Sequence, residues 1–138
     1  EVAPGLRWVG VEPNPAMHEL LRAQAQEVGM PVTLRAPAGE RLPADDASVD
    51  HVISTLVLCS VPDVAQTLVE IKRVLRPGGR NLLLSSRADR DADDLRRQYA
   101  EWAEAEGMRL AKPRMIPNKN PDWLLAVATP VDRAVAAA

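Results

Sequence analysis

The stretch RWVGVEPNPAM, residues 7–17, places a single carboxylate directly after a mainly apolar segment. Residues 7–11 predict a short strand, and Asn14 followed by Pro15 predicts a capped helix start. Glu12 therefore lies where a strand gives way to a helix. In nucleotide-binding α/β folds, an acidic residue after a strand accepts hydrogen bonds from ribose hydroxyls. Glu12 is the first candidate for a ligand-binding side chain.

Two further segments follow predicted strands in the same way. The loop PAGERLPADDAS, residues 37–48, follows the second strand, and TLVLCS, residues 55–60, lies at the end of the third. In open α/β sheets, ligands bind outside the carboxyl ends of the strands, at the switch in strand order. We therefore expect Glu12 and these two segments to converge at one edge of a sheet.

Side chains that could act as a nucleophile or a general base are few. Cys59 is the only cysteine, so it cannot form an internal disulfide or by itself supply a metal site, and we predict a small buried residue. His18 on a helix and His51 at a strand start are predicted to be structural or solvated. The sequence offers no convincing catalytic base and no set of metal ligands.

Alternating strands and helices are predicted to position these segments. The run DHVISTLVL, residues 50–58, is nearly all apolar, which predicts a strand buried on both faces. Apolar spacing predicts the inner side of the first helix, made of Met17, Leu20, Leu21, Gln24 and Val28. The predicted strands cover residues 7–11, 32–36, 50–58, 81–85, 108–115 and 123–129, and the predicted helices cover 15–28, 64–75 and 91–106.

These elements predict an α/β fold: a Rossmann-like, mostly parallel open sheet with helices on both faces and a C-terminal antiparallel hairpin. We expect one partial domain over residues 1–138, with a frayed tail at 130–138. The net charge of −2 favours neither nucleic acid nor an anionic membrane as a partner. No signal-peptide pattern and no apolar run of about 18 residues is present, so we predict a cytoplasmic protein.

Three segments carry a resemblance to a known family: VGVEPNPAM, residues 9–17; APAGERLPADDASVDHVISTLVLCSVPD, residues 36–63; and EIKRVLRPGGR, residues 70–80. In this order they resemble class I S-adenosylmethionine-dependent methyltransferases of the UbiE-like or type 11 group. LVLCSVPD and AGE are especially similar to the methyltransferase-like subgroup that includes alkyl thiol methyltransferases. The likeness extends over more than half of the chain.

The resemblance implies S-adenosyl-L-methionine as the cofactor and a small-molecule methyl acceptor. It implies that Glu12 binds the ribose hydroxyls and that Pro13 packs on a face of the adenine. In the next loop, family members read adenine with an acidic side chain, but Ala38 occupies that position here. Adenine would then meet only the backbone of Gly39 and Glu40.

The resemblance also implies that Thr55 and Leu56 begin the segment that lines the methionine end of the cofactor and the acceptor pocket. Methyl transfer would proceed by direct displacement, because a sulfonium methyl is already activated. The protein then mainly aligns donor and acceptor and excludes water. A thiolate acceptor needs no dedicated base.

The glycine-rich turn that precedes such an acidic residue by roughly 20 positions is absent, because only 11 residues precede Glu12. We expect a βα unit to be missing at the start, which leaves two strand edges unpaired. The alternative to an enzyme is therefore a truncated domain without turnover that self-associates through those edges. A nicotinamide-dependent oxidoreductase also carries an acid after its second strand, but RVLRPGG and LPADDASVD have no place in that pattern.

We predict that joining an upstream strand ending in a G-x-G turn to this chain produces micromolar binding of S-adenosylhomocysteine. The added backbone N–H groups would contact the cofactor beside Glu12. Isothermal titration calorimetry of the extended and the 138-residue proteins measures the gain. An extended, folded protein that ignores S-adenosylhomocysteine would contradict the assigned cofactor.

Overall fold

The computed structural model describes residues 6–30, 32–37, 41–55, 57–58, 60–85, 92–111, 114–116 and 123–130. The chain divides into two compact units, Glu1–Pro43 and Ala44–Ala138, and each unit is described by itself. One domain over residues 1–138 stays a prediction. The predicted frayed tail lies, beyond Pro130, outside the described residues.

The first unit is a βαβ arrangement with a two-stranded parallel sheet. Register pairs Trp8 with Val32 and Val11 with Arg35. A 3₁₀ turn leads into the helix, and Gly29 follows the helix with a φ of 67°. This conformation suits glycine, which has no Cβ to clash. The elements are β1 (Trp8–Val11), the 3₁₀ turn (Pro15–Met17), α1 (His18–Glu27) and β2 (Val32–Arg35).

The predicted inner side of α1 is wrong in its rotation. Leu20 and Val28 are 54% and 63% exposed, whereas Ala25 is buried and His18 and Leu21 are half-buried. The inward residues are therefore His18, Leu21 and Ala25, which are spaced at i, i+3 and i+7. The side of the helix that they form differs from the side that carries most of the apolar residues. A polar histidine thus lies on the packed side of the helix.

The second unit holds a five-stranded sheet in the order β3-β4-β7-β5, with β6 paired to β7. β3 and β4 are parallel, whereas β7 is antiparallel to β4, β5 and β6, which confirms the predicted antiparallel C-terminal part. The predicted strand 108–115 is two strands. The elements are β3 (Val49–Thr55), α2 (Val64–Val74), β4 (Leu75–Ser85), α3 (Ala92–Ala105), β5 (Met108–Leu110), β6 (Arg114–Ile116) and β7 (Trp123–Pro130).

Helices α2 and α3 contact each other and the same sheet, so they cover one of its faces. Tyr99 packs edge-on against Trp102, with ring centroids 5.2 Å apart. Lys72 on α2 donates to the Glu106 carbonyl oxygen over 2.7 Å, which ties the end of α3 to α2. Among the residues whose burial the structure describes, the buried apolar residues of this unit are Leu58, Leu68, Ile71, Val74, Leu75, Tyr99, Ala103 and Met108.

The prediction that residues 50–58 form a strand buried on both faces is wrong. Ile53 is 51% exposed and its neighbour across the sheet, Leu82, is 38% exposed. Two features explain this: the helices of this unit cover the opposite face, and β3 pairs only with β4 within the described residues. Among the described residues β1 likewise pairs only with β2, so β1 and β3 each have an open edge, as expected from the sequence.

No loop separates α2 from β4, because the helix ends at Val74 and the strand begins at Leu75. The helix ends directly before the RPGG segment, as predicted, and this segment forms a bulge in β4. Leu75 pairs with Val49 and Arg80 with His51, so residues 76–79 lie opposite Asp50 alone. Arg76 closes the bulge with an ion pair to Asp50.

The two glycines of the bulge are each required for a different steric reason. Gly78 has a φ of 78°, which is strained for a residue with a Cβ. A Cβ on Gly79 would lie 2.8 Å from the Arg76 carbonyl oxygen and 3.1 Å from that of Asp50. The backbone of β4 can therefore approach β3 closely only without a side chain at Gly79.

Arg73 fastens the loop before β3 to the end of α2. Its Nε and Nη2 donate to the two carboxylate oxygens of Glu70 over 2.9 and 2.8 Å, and Nη1 donates to Asp46 and to the Ala44 carbonyl. The hydrogen bonds to Glu70, followed by those to Asp46, raise the pKa of Arg73. In return, the N–H groups of Ala47 and Ser48 donate to the last carbonyls of α2.

A buried polar pair links β3 to β4. Ser54, 5% exposed, donates to the Oδ1 of Asn81, which is fully buried. Among the described residues, the Nδ2 of Asn81 is buried without a hydrogen-bond partner. A buried donor without a partner costs free energy, so this pair stabilises the sheet less than a fully hydrogen-bonded pair would.

We predict that Ser54→Ala lowers the free energy of unfolding by about 1–3 kcal/mol, because both polar atoms of Asn81 then lack a partner. The double variant Ser54→Ala, Asn81→Leu should equal or exceed the parent in stability, since it removes the pair together with the unpaired donor. Urea unfolding followed by circular dichroism measures both. A double variant less stable than the parent would show that the polar pair is net stabilising.

Candidate functional site

Glu12 follows the last residue of β1 and is fixed through its backbone. Its N–H donates to the Arg35 carbonyl over 3.1 Å, which extends the β1–β2 pairing by one residue. Its own carbonyl accepts from the Nε2 of His18 over 2.8 Å. Both main-chain polar groups of Glu12 are thus held within the first unit, at the carboxyl end of a parallel strand.

The Glu12 carboxylate has one bound and one open oxygen. Its Oε1 accepts from the Asn14 N–H over 2.7 Å, whereas Oε2 has no hydrogen-bond partner within the described part of the chain. The side chain is half-buried, so it is partly shielded from water yet reachable. A carboxylate held in this way can accept a hydroxyl donor at Oε2, and Oε1 retains a second lone pair.

Asn14 shapes the turn beside this carboxylate. Its Oδ1 accepts from the Ala16 N–H over 3.1 Å, and its carbonyl accepts from the Met17 N–H over 3.0 Å. The predicted N-cap is confirmed, although it caps the 3₁₀ turn that precedes α1. Pro13, between Glu12 and Asn14, is exposed and presents an apolar ring next to the carboxylate.

The other predicted site residues lie in the second unit or outside the described residues. Thr55 is the last residue of β3, at the carboxyl end of a parallel strand of the second unit, and it is exposed. Gly39, Glu40 and Leu56 lie outside the described residues, so their roles stay predictions. Cys59 lies outside them as well. Within the first unit, the structure brings Glu12 and Pro13 together with Asn14 and His18.

His18 has a structural hydrogen bond that sequence reasoning did not specify. It was predicted to be structural or solvated, and its ring donates to the main-chain carbonyl of Glu12. The available signal was its spacing: a histidine at i+6 from a strand-end acid, across a capped turn, lies in the first turn of the following helix and can reach back. His51 on β3 is exposed, as predicted.

The described residues contain neither a metal-binding cluster nor a membrane-spanning helix. No cluster of three or more His, Cys, Asp or Glu side chains placed to hold a metal ion occurs among them. Within the same ranges, every helix is too short or too polar to cross a membrane.

Comparison with known proteins identifies the class of protein to which this chain belongs. Residues 2–83, more than half of the chain, match the family described as methyltransferase domain. The chain belongs to this family, within the class I S-adenosylmethionine-dependent methyltransferases. The resemblance stated from its motifs is confirmed.

Among curated proteins, the chain is similar to thiol S-methyltransferase TMT1B of Homo sapiens. The two are 38% identical over 79 residues, which is 55% of this chain and 32% of that protein. The chain therefore spans about a third of the length of this relative.

Solved structures show the same fold. A methyltransferase in complex with the Haloferax volcanii Trm112 methyltransferase activator superposes with a TM-score of 0.71 and 21% identity, covering 91% of this chain and 73% of that one. The [4+2]-cyclase SpnF superposes with a TM-score of 0.74 and 15% identity, covering 92% and 67%. The predicted α/β fold class is thereby confirmed, and the cyclase shows that this fold is not confined to methyl transfer.

Proposed function

We propose that this chain is the cofactor-binding part of an S-adenosylmethionine-dependent methyltransferase that acts on a small molecule. The observation that carries the proposal is the state of Glu12: a carboxylate at the carboxyl end of a parallel strand, oriented by Asn14, with Oε2 open. Ligands bind at this edge in open α/β sheets. Family membership supplies the class of reaction.

The chain's own residues fit the ribose part of the cofactor. Glu12 would accept hydrogen bonds from the two ribose hydroxyls, one at Oε2 and one at the second lone pair of Oε1. Pro13, exposed next to it, would pack on an adenine face. Gly39, Glu40, Thr55 and Leu56 remain proposed contacts to the adenine and methionine ends.

The cofactor, when bound, supplies an electrophilic methyl group on a sulfonium sulfur. The protein's task is then alignment of an acceptor with this methyl and exclusion of water, which together can lower the barrier without acid–base chemistry. This suits a site for which the sequence offers no convincing general base. An acceptor that is nucleophilic at neutral pH fits best.

A thiol is the first acceptor class to test. The relative that is 38% identical over 79 residues is a thiol S-methyltransferase. Thiolates are strong nucleophiles near neutral pH, so they need little activation.

We predict that S-adenosylhomocysteine binds the 138-residue chain and that Glu12→Ala weakens binding by at least about 100-fold. Two hydrogen bonds to a charged group, worth about 1.5–3 kcal/mol each, would be lost. Calorimetric titration measures the affinities, and Glu27→Ala, which removes an exposed carboxylate at the end of α1, is the matched control. Equal affinity in the parent and Glu12→Ala would remove the ribose role of Glu12.

A second candidate function is a binding or structural domain without turnover, which self-associates. The observation that favours it is the pair of open parallel edges, on β1 and on β3, each unpaired on one side within the described residues. Unpaired N–H and C=O groups along a strand are a template for pairing with another chain. The half-exposed Ile53 adds an apolar contact on the same strand.

If this candidate is correct, light scattering should show a mass that rises with protein concentration. Ile53→Lys, which adds a charge at the open edge, should shift the protein toward the monomer. Val69→Lys makes a comparable change on the exposed side of α2 and should leave the mass unchanged. A parent that remains monomeric at all concentrations and unfolds cooperatively would exclude self-association.

A further inference from the structure

The turn between β1 and α1 holds Glu12 at its backbone and at its carboxylate. We propose that His18 and Asn14 are positioning residues that fix the Glu12 carboxylate for a ribose. The inference rests on the proposed cofactor site and deepens it. Neither residue has to touch the ligand, since both act through Glu12.

His18 anchors the main chain of Glu12. A carbonyl oxygen can only accept, so the Nε2 of His18 must carry the proton in the 2.8 Å hydrogen bond to Glu12. The Glu12 N–H is bonded to Arg35 on the other side of the same residue. These two bonds fix both peptide groups that flank the Glu12 Cα and limit rotation at the end of β1.

Asn14 orients the side chain of Glu12. Its N–H lies 2.7 Å from Oε1, a charge-assisted hydrogen bond, while its own Oδ1 caps the turn at Ala16. The same residue thus rigidifies the turn and directs a donor at the carboxylate. Oε2 is left open in a defined direction.

Packing alone does not account for a histidine at position 18. The residue lies in the first turn of α1 on its inward side, with Leu21 and Ala25. An aliphatic side chain would fill such a place without a polar ring that needs a hydrogen-bond partner. The hydrogen bond to Glu12 is the interaction that an aliphatic residue could not make.

Fixing Glu12 in advance should strengthen ligand binding. A free glutamate side chain has several rotamers, and ordering it on binding costs free energy that a preordered carboxylate does not lose. The expected contribution of His18 is that of one hydrogen bond, which corresponds to about 3- to 10-fold in affinity. The effect should disappear when Glu12 is absent.

A double-mutant cycle with S-adenosylhomocysteine tests this dependence by calorimetry. We expect His18→Ala to weaken binding about 3- to 10-fold in the parent and less than about 2-fold in the Glu12→Ala background. His18→Gln keeps an N–H donor at the reach of Nε2 and should restore most of the affinity, whereas His18→Asn is too short. His51→Ala, at the exposed histidine of β3, should have no effect.

A second measurement needs no ligand. The Asn14 N–H is in an exposed turn and should still exchange slowly with solvent, because it donates to Glu12. Exchange measured by nuclear magnetic resonance should accelerate in Glu12→Ala and in His18→Ala, and remain slow in His18→Gln. Unchanged exchange in His18→Ala would overturn the positioning role of His18.

The two failures can be told apart. If Glu12→Ala binds S-adenosylhomocysteine as well as the parent, the ribose site itself is wrong. If Glu12→Ala weakens binding but His18→Ala costs the same in both backgrounds, His18 acts only on the fold, and the positioning inference is overturned while the ribose site stands. If no form of the chain binds, amide exchange alone decides the inference.

Discussion

The parallel pairing of β3 with β4 is the constraint on which the second unit depends. Two parallel strands cannot be joined by a hairpin, so the chain must return along a crossover, and α2 is that crossover. β4 can then accept β7 on its other side, and β5 and β6 pair with β7 in turn. Thr55 lies at the carboxyl end of β3 as a result of this geometry.

The first unit repeats the constraint on a smaller scale. α1 returns the chain so that β2 runs parallel to β1, and the backbone of Glu12 is the last point of contact between the two strands. An acid at this point has its main chain held by the sheet and its side chain outside it. The main chain of Glu12 is therefore fixed by the sheet, and hydrogen bonds within the short turn that follows determine the orientation of its carboxylate.

Apolar periodicity and the local start and stop signals predicted the kind and approximate bounds of nearly all elements, because Pro15, Gly29 and the capped starts at Asn14 and Asp63 act locally. The rotation of α1 was not predictable in this way, since apolar residues occupy both of its sides. The exposure of Ile53 depends on which strands and helices adjoin β3, and this is not a local property. The hydrogen bond between His18 and Glu12 likewise requires the geometry of the whole turn.

The direct junction of α2 with β4 has a consequence for how this chain can vary. Leu75 is both the cap of the helix and the first residue of the strand, so the connection has no slack. One inserted residue would turn the buried side of α2 by about 100° or displace β4 by one position along β3, which would reverse its two faces. A length change is therefore far costlier here than in an ordinary surface connection. The four-residue bulge at 76–79, which already departs from the ladder, is the nearest place where extra length could be absorbed.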